Sequence, residues 1–267
     1  LTEAVALRND FAEAHFNLAY IEEKLNHYDE AEKHLLNSIE ADSVMDKAYL
    51  ALGILYKKQE RFEEAQKQLE KAIAINEENK QAYNELGRVL RERKKYEMAM
   101  KNFRRATQID QKYVEAYLNL GIIFVDMKVY PQALKNFRKV IELDPTLPEG
   151  YMNLAQVSYL LADTTGALAN YEKVLELDPN RKLVNFQIAQ ILEQMGHPAL
   201  AMAAYRREIA VNPEYAFSYF NLAVLLQQSK NFDEAIEQYQ KFVTLVPEND
   251  ARAVKVRKIL AQLEKLN

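Results

Sequence analysis

The chain has 267 residues, with 35 Lys and Arg against 39 Asp and Glu, six Gly, seven Pro and no Cys. The small negative balance gives no whole-molecule attraction to phosphate backbones or anionic lipid, and the missing thiols exclude disulfides, thiolate nucleophiles and zinc-thiolate centres. No apolar run approaches the roughly 18 residues that span a bilayer, so no membrane insertion and a soluble chain are expected, the cytoplasm being slightly favoured. Ala, Leu, Glu, Lys, Gln and Arg dominate, which predicts an all-helical protein.

Residues 1–11, LTEAVALRNDF, place Ala4 and Leu7 in phase with Ala72 and Ile75 of a later helix. They predict the end of a truncated upstream repeat. From residue 12 a phrase such as EAYLNLGIIF returns every 34 residues without insertion, giving seven units: 12–45, 46–79, 80–113, 114–147, 148–181, 182–215 and 216–249. In the fourth, Tyr117, Leu120, Gly121 and Phe124 fall at i, i+3, i+4 and i+7, one apolar face of a first helix. Ala133, Phe137, Val140 and Ile141 form the face of a second helix, which Asp144-Pro145 ends.

Two rows of small residues recur, one running Ala19, Gly53, Gly87, Gly121, Ala155, Ala189, Ala223, the other Ala31, Ala65, Ala99, Ala133, Ala167, Ala201, Ala235. Side chains of one methyl or none let two helices approach closely, so these rows predict the contact line of a helical hairpin. The closing Pro stands at 145, 179, 213 and 247, whereas Ser43, Glu77 and Gln111 replace it in the first three units, which predicts less restricted junctions there. The sixth unit departs most: Asn185 replaces an aromatic residue, His197-Pro198 fills the turn, and Glu208 stands where other units have Ala or Val. A tolerated edge of the packing is the favoured reading of Glu208. Residues 250–267 put Val256, Ile259, Leu260 and Leu263 on one face and predict a capping helix over the last open core.

The pattern aromatic-x-x-Leu-Gly-x-x-aromatic, then Ala-x-x-x-aromatic, then Pro resembles the tetratricopeptide repeat (TPR) family over residues 12–249. The resemblance implies an all-α, right-handed α-solenoid of stacked antiparallel helical hairpins, with first helices lining the concave side. It further implies a protein or peptide partner. The chaperone-tail clamp of some members needs Lys at the fifth position of a unit, and no unit here has one.

No catalytic, metal or cofactor constellation is visible. The four histidines, His15, His27, His34 and His197, form no H-x-x-x-H pair, and each is read as packing or surface. The expected function is therefore a non-catalytic interaction scaffold.

The candidate groove lies on the first helices, opposite the hairpin contact. Asn17, Asn119, Asn153 and Asn221, with Gln187, offer carboxamides that match the N–H and C=O groups of an extended peptide. Leu118, Met152, Phe186 and Phe220 supply apolar anchors beside them. The third unit carries ten basic against four acidic residues, and its Arg88 and Arg91 are the candidate basic anchor for an acidic ligand. Nucleic acid is disfavoured as a partner. The Asn row resembles the asparagine ladder of a glycosyltransferase repeat region, so an alternative reading makes this the substrate-recruiting region of a larger enzyme. Another makes it a self-assembling scaffold that stacks through an open N-terminal face.

Overall fold

The computed structural model describes residues 11–263. Among them the regular elements are all helices: α1 (Ala12–Lys24), α2 (Tyr28–Ala41), α3 (Asp46–Lys58), α4 (Phe62–Ile75), α5 (Lys80–Glu92), α6 (Tyr96–Ile109), α7 (Val114–Asp126), α8 (Tyr130–Leu143), α9 (Pro148–Leu160), α10 (Thr164–Leu177), α11 (Val184–Gln194), α12 (Pro198–Val211), α13 (Ala216–Gln228), α14 (Phe232–Leu245) and α15 (Ala251–Leu263). The fold is all-α. Each odd-numbered helix from α1 to α13 packs on the even-numbered helix that follows it. The chain forms two compact units, Leu1–Pro145 and Thr146–Asn267, and within each the successive hairpins stack. The remnant expected at residues 1–11 lies outside the described residues except for Phe11.

The contact line of every hairpin follows from the two rows of small residues. Ala31, Ala65, Ala99 and Ala133 in the first unit, and Ala167, Ala201 and Ala235 in the second, are completely buried. Four residues on, one turn along the second helix, come Leu35, Leu69, Phe103, Phe137, Tyr171, Tyr205 and Tyr239, all buried. Where this residue is Phe, the first helix meets it with Gly. A Cβ built on Gly121 would stand 2.2 Å from Phe137 Cε1, and one on Gly87 2.5 Å from Phe103 Cε1. A methyl at either position has no room unless a fully buried ring shifts.

The turn after each first helix uses a left-handed residue: Asn26, Glu60, Lys94, Lys128, Ala162, Gly196 or Lys230. At the end of α1, the Asn26 N–H donates to Glu23 C=O (3.0 Å) and the His27 N–H to Glu22 C=O (2.9 Å), closing a Schellman motif. The junctions without Pro have another restraint. Asp42 Oδ1 accepts from Val44 N–H (3.0 Å), Asn76 Oδ1 from Glu78 N–H (3.1 Å) and Asp110 Oδ1 from Lys112 N–H (2.8 Å). These Asx turns fix the backbone that Pro fixes in later units, so the first three junctions are not as loose as their sequence suggests.

In the second unit, α15 buries Ala253, Val256, Leu260 and Leu263 in a cluster with Tyr239 and Phe242 of α14. Asp250 Oδ1 accepts from Arg252 N–H (2.8 Å) and Ala253 N–H (2.9 Å), which caps the start of α15.

Gly121→Ala is expected to destabilise the protein by about 1–3 kcal/mol, the cost of overpacking a filled site. Ala162→Gly, which relieves a left-handed Ala in a solvent-facing turn, should instead leave stability unchanged or raise it by up to about 1 kcal/mol. Denaturant titrations of the two variants check both signs.

Candidate functional site

The stripe proposed from the sequence sits where first helices turn away from their hairpin partners, and its residues differ in what the fold leaves free. In the first unit Asn17 is exposed, and Leu118 and Asn119 are half-buried. Phe16 and the exposed Tyr20 line a small apolar cavity of about 30 Å³ with Ala51 and Leu55 of α3. Asn119 Nδ2 donates to Asn84 Oδ1 at 2.9 Å, so one carboxamide of the row links α7 to the buried amide of α5.

In the second unit Met152, Asn153, Gln187, Phe220 and Asn221 are half-buried. Asn153 Nδ2 donates to the Glu149 carbonyl of its own helix at 2.7 Å, and Asn221 Nδ2 donates to the Tyr205 hydroxyl at 3.0 Å. That hydroxyl in turn donates to Glu193, and burial followed by this bond pushes the Tyr205 phenol well above its usual range. Asn153 and Asn221 thus each give one side-chain N–H to the fold. Phe220 packs its ring on Phe242 at 5.2 Å.

Three expectations require correction. Phe186 is not a groove anchor: it is 7% exposed, edge-on to Tyr215 at 5.0 Å and tilted on Tyr205 at 5.6 Å. With Asn185 in place of the usual preceding aromatic residue, Phe186 supplies the ring that fills this core. Nor do Arg88 and Arg91 form a free anchor. Arg91 Nε donates to Asp126 Oδ2 at 2.5 Å, a bond that raises the guanidinium pKa, and Arg88 Nη1 lies 3.0 Å from Glu85 Oε1. Glu85 also pairs with Lys57, so these charges close an ion-pair chain within the first unit.

Glu208 is likewise not at an edge. It is fully buried on α12, where its Oε1 accepts from the Leu183 N–H at 2.7 Å and from Asn212 Nδ2 at 3.3 Å. Leu183 has φ +70° and precedes α11, so the carboxylate caps a helix whose start is left-handed. Arg207 Nε donates to Asn185 Oδ1 at 3.1 Å. The two residues that break the repeat pattern therefore hold the altered helix start together.

A histidine contact also went unread in the sequence. His15 Nδ1, nearly fully buried on α1, lies 3.0 Å from His34 Nδ1 on α2. Burial, then the neighbouring His15, lowers the His34 pKa below its ordinary 6.5. The available signal was that His15 stands at the packing position that Tyr49, Tyr83 and Tyr117 occupy in other units. Among the described residues no three His, Asp or Glu side chains gather as a metal site, and no helix is long and apolar enough to cross a membrane.

Sequence patterns described as "Tetratricopeptide repeat" match residues 12–44, 46–79, 114–147, 148–181 and 186–250, and one described as "TPR repeat" matches 87–128. No curated protein matches the chain in sequence. Among solved structures, the C-terminal part of a TPR repeat-containing protein from Cytophaga hutchinsonii is 21% identical with a TM-score of 0.74, over 90% of this chain and 98% of that one. A tetratricopeptide repeat protein from Parabacteroides merdae is 14% identical with a TM-score of 0.65, over 95% and 98%. YrrB, described as a TPR protein with an unusual peptide-binding site, is 24% identical with a TM-score of 0.55, over 68% and 94%. At these identities the likeness shows the fold alone.

Glu208→Ala should cost about 1–3 kcal/mol, since it removes the carboxylate that caps the Leu183 N–H and leaves a cavity at a fully buried site, and Glu208→Gln should cost less. Thermal melts compare them. Because His34 binds a proton less readily in the fold than in the unfolded chain, stability should be complete above pH 6.5 and fall as pH drops below it. His34→Gln should flatten that slope in unfolding measured across the pH range.

Proposed function

Because the chain belongs to the tetratricopeptide repeat family, we propose that it is a non-catalytic protein-interaction scaffold whose first helices hold an extended or helical segment of a partner protein. The observation that carries the reading is the half-exposed pairing of an apolar side chain with a carboxamide on the same helix: Leu118 with Asn119 on α7, Met152 with Asn153 on α9, and Phe220 with Asn221 on α13. The apolar member buries a partner side chain, and the amide's remaining oxygen and N–H meet its backbone. Asn17 and Gln187 extend the amide row. YrrB's description as peptide-binding supports the same use of a similar fold.

Energy in such a surface concentrates in a few anchors. Leu118→Ala with Asn119→Ala alters the patch in the first unit, and Phe220→Ala with Asn221→Ala alters that in the second. A partner captured by the unaltered chain should lose at least about tenfold in affinity for one or both helical variants, measured by calorimetry. Equal affinity for all three chains would place binding elsewhere.

A further inference from the structure

Seven of the ten cations of residues 80–113 fall into two groups in the fold. Lys80, Arg88, Arg91 and Arg93 are tied to Asp110, Glu85, Asp126 and Glu63. On α6 the exposed Lys101, Arg104 and Arg105 have no carboxylate partner among the described residues, and on the neighbouring second helix α8 the same holds for Lys135 and Arg138. Charge that the sequence assigned to the first-helix stripe is thus available instead on the row of second helices.

Two open grooves run along these cations. One, of about 740 Å³, has Tyr117, Leu120 and Phe124 of α7 in its lining and is bordered by Arg104 of α6 and by Lys135 and Arg138 of α8. The other, of about 620 Å³, has Tyr83 in its lining together with Met98, Lys101, Arg104 and Arg105 of α6. Arg104 borders both, so the grooves flank α6. The Arg105 guanidinium lies over the Tyr83 ring at 5.9 Å. Glu142 is the one carboxylate in either lining, and it is bound to Lys139 at 2.5 Å.

We propose that this face of the first unit, separate from the first-helix stripe, binds an acidic protein segment carrying apolar side chains. Unpaired cations on both sides of α6 are complementary to a polyanion. The tyrosine and methionine in the linings demand that the same ligand also bury apolar groups, which a phosphate backbone does not offer. The spacing specifies the segment: grooves on either side of one helix are roughly 10 Å apart, about one three-residue turn of a polyproline II chain, which returns side chains three apart to the same side. Apolar residues that far apart, with Asp or Glu between and around them, would seat one side chain in each groove and their carboxylates against Arg104 and its neighbours.

The probe is a fluorescein-labelled glutamate peptide of about ten residues with two phenylalanines three apart, titrated by anisotropy at about 0.1 M salt. Arg104→Glu with Arg138→Glu should weaken binding by about tenfold or more, whereas Arg88→Glu with Arg91→Glu should change it by less than about threefold. Replacing both phenylalanines by serine should also weaken the peptide. Leu118→Ala with Asn119→Ala should leave this binding unchanged, which separates its failure from failure of the first-helix surface. If charge reversal unfolds the chain by circular dichroism, Arg104→Gln with Arg138→Gln replaces it, with a smaller loss expected. The proposal is overturned if the unaltered chain does not bind the peptide, if the Arg104 and Arg138 variant binds as well as it does, or if labelled oligouridine or phosphatidylserine vesicles bind more tightly than the peptide.

Discussion

Close approach of two helices within each hairpin is the constraint on which the rest depends. A repeat of this length cannot bury its own apolar face, and it gains a core only when its helices come near enough to enclose a large side chain and then stack on the next pair. The completely buried alanines from Ala31 to Ala235 set that approach. Gly87 and Gly121 extend it where the enclosed residue is Phe103 or Phe137. Once the hairpin line is fixed, the opposite stripe of each first helix and the outer row of each second helix are left over, and these are the surfaces available to a partner.

The two leftover surfaces differ in chemistry because the ion pairs are unevenly distributed. First helices of the first unit are joined through carboxylates: Glu85 takes Lys57 and Arg88, and Asp126 takes Arg91. The Lys57–Glu85 and Arg91–Asp126 pairs cross between successive hairpins and fix the stacking, and Glu85–Arg88, within α5, adds to neutralising the stripe. What remains there is apolar and amide. On α6 and α8 the balance is reversed, because the carboxylates that could answer Arg104 and Arg138 are absent from both groove linings but for Glu142. The same segment therefore offers a near-neutral surface on its first helices and a basic one on its second.

Helices, hairpin pairing and the buried rows were legible in the sequence, because each depends on periodicity and side-chain volume, which letters report directly. The amide row was legible as a position but not as a set of bonds. Asn119 finds Asn84 and Asn221 finds Tyr205 only through neighbouring helices. Arg88 and Arg91 were placed on the right stripe, yet their partners lie on the same face, and one of them, Asp126, is 35 residues distant. The left-handed turns were hidden as well: Glu60, Lys94 and Lys128 are residue types that give no sign of a positive φ, which here follows from the helix ending and not from local preference. The Asx turns at Asp42, Asn76 and Asp110 could have been read, since the same acid or amide stands before Pro145, Pro179 and Pro213.

Residues 182–215 depart from the shared pattern at several places, and those departures answer one another. Leu183 bends left-handed, Glu208 receives its N–H, Asn212 supports the same carboxylate, and Arg207 holds Asn185. Every one of these bonds begins and ends inside the one segment. Tandem arrays grow and shrink by copying or losing whole segments, and a copy that depended on a matched change in its neighbour would arrive incomplete. This one would arrive with its own compensation. An irregular helix start of this kind can therefore be inherited as a single block and pass through duplication or deletion events that would break an exception shared between adjacent repeats.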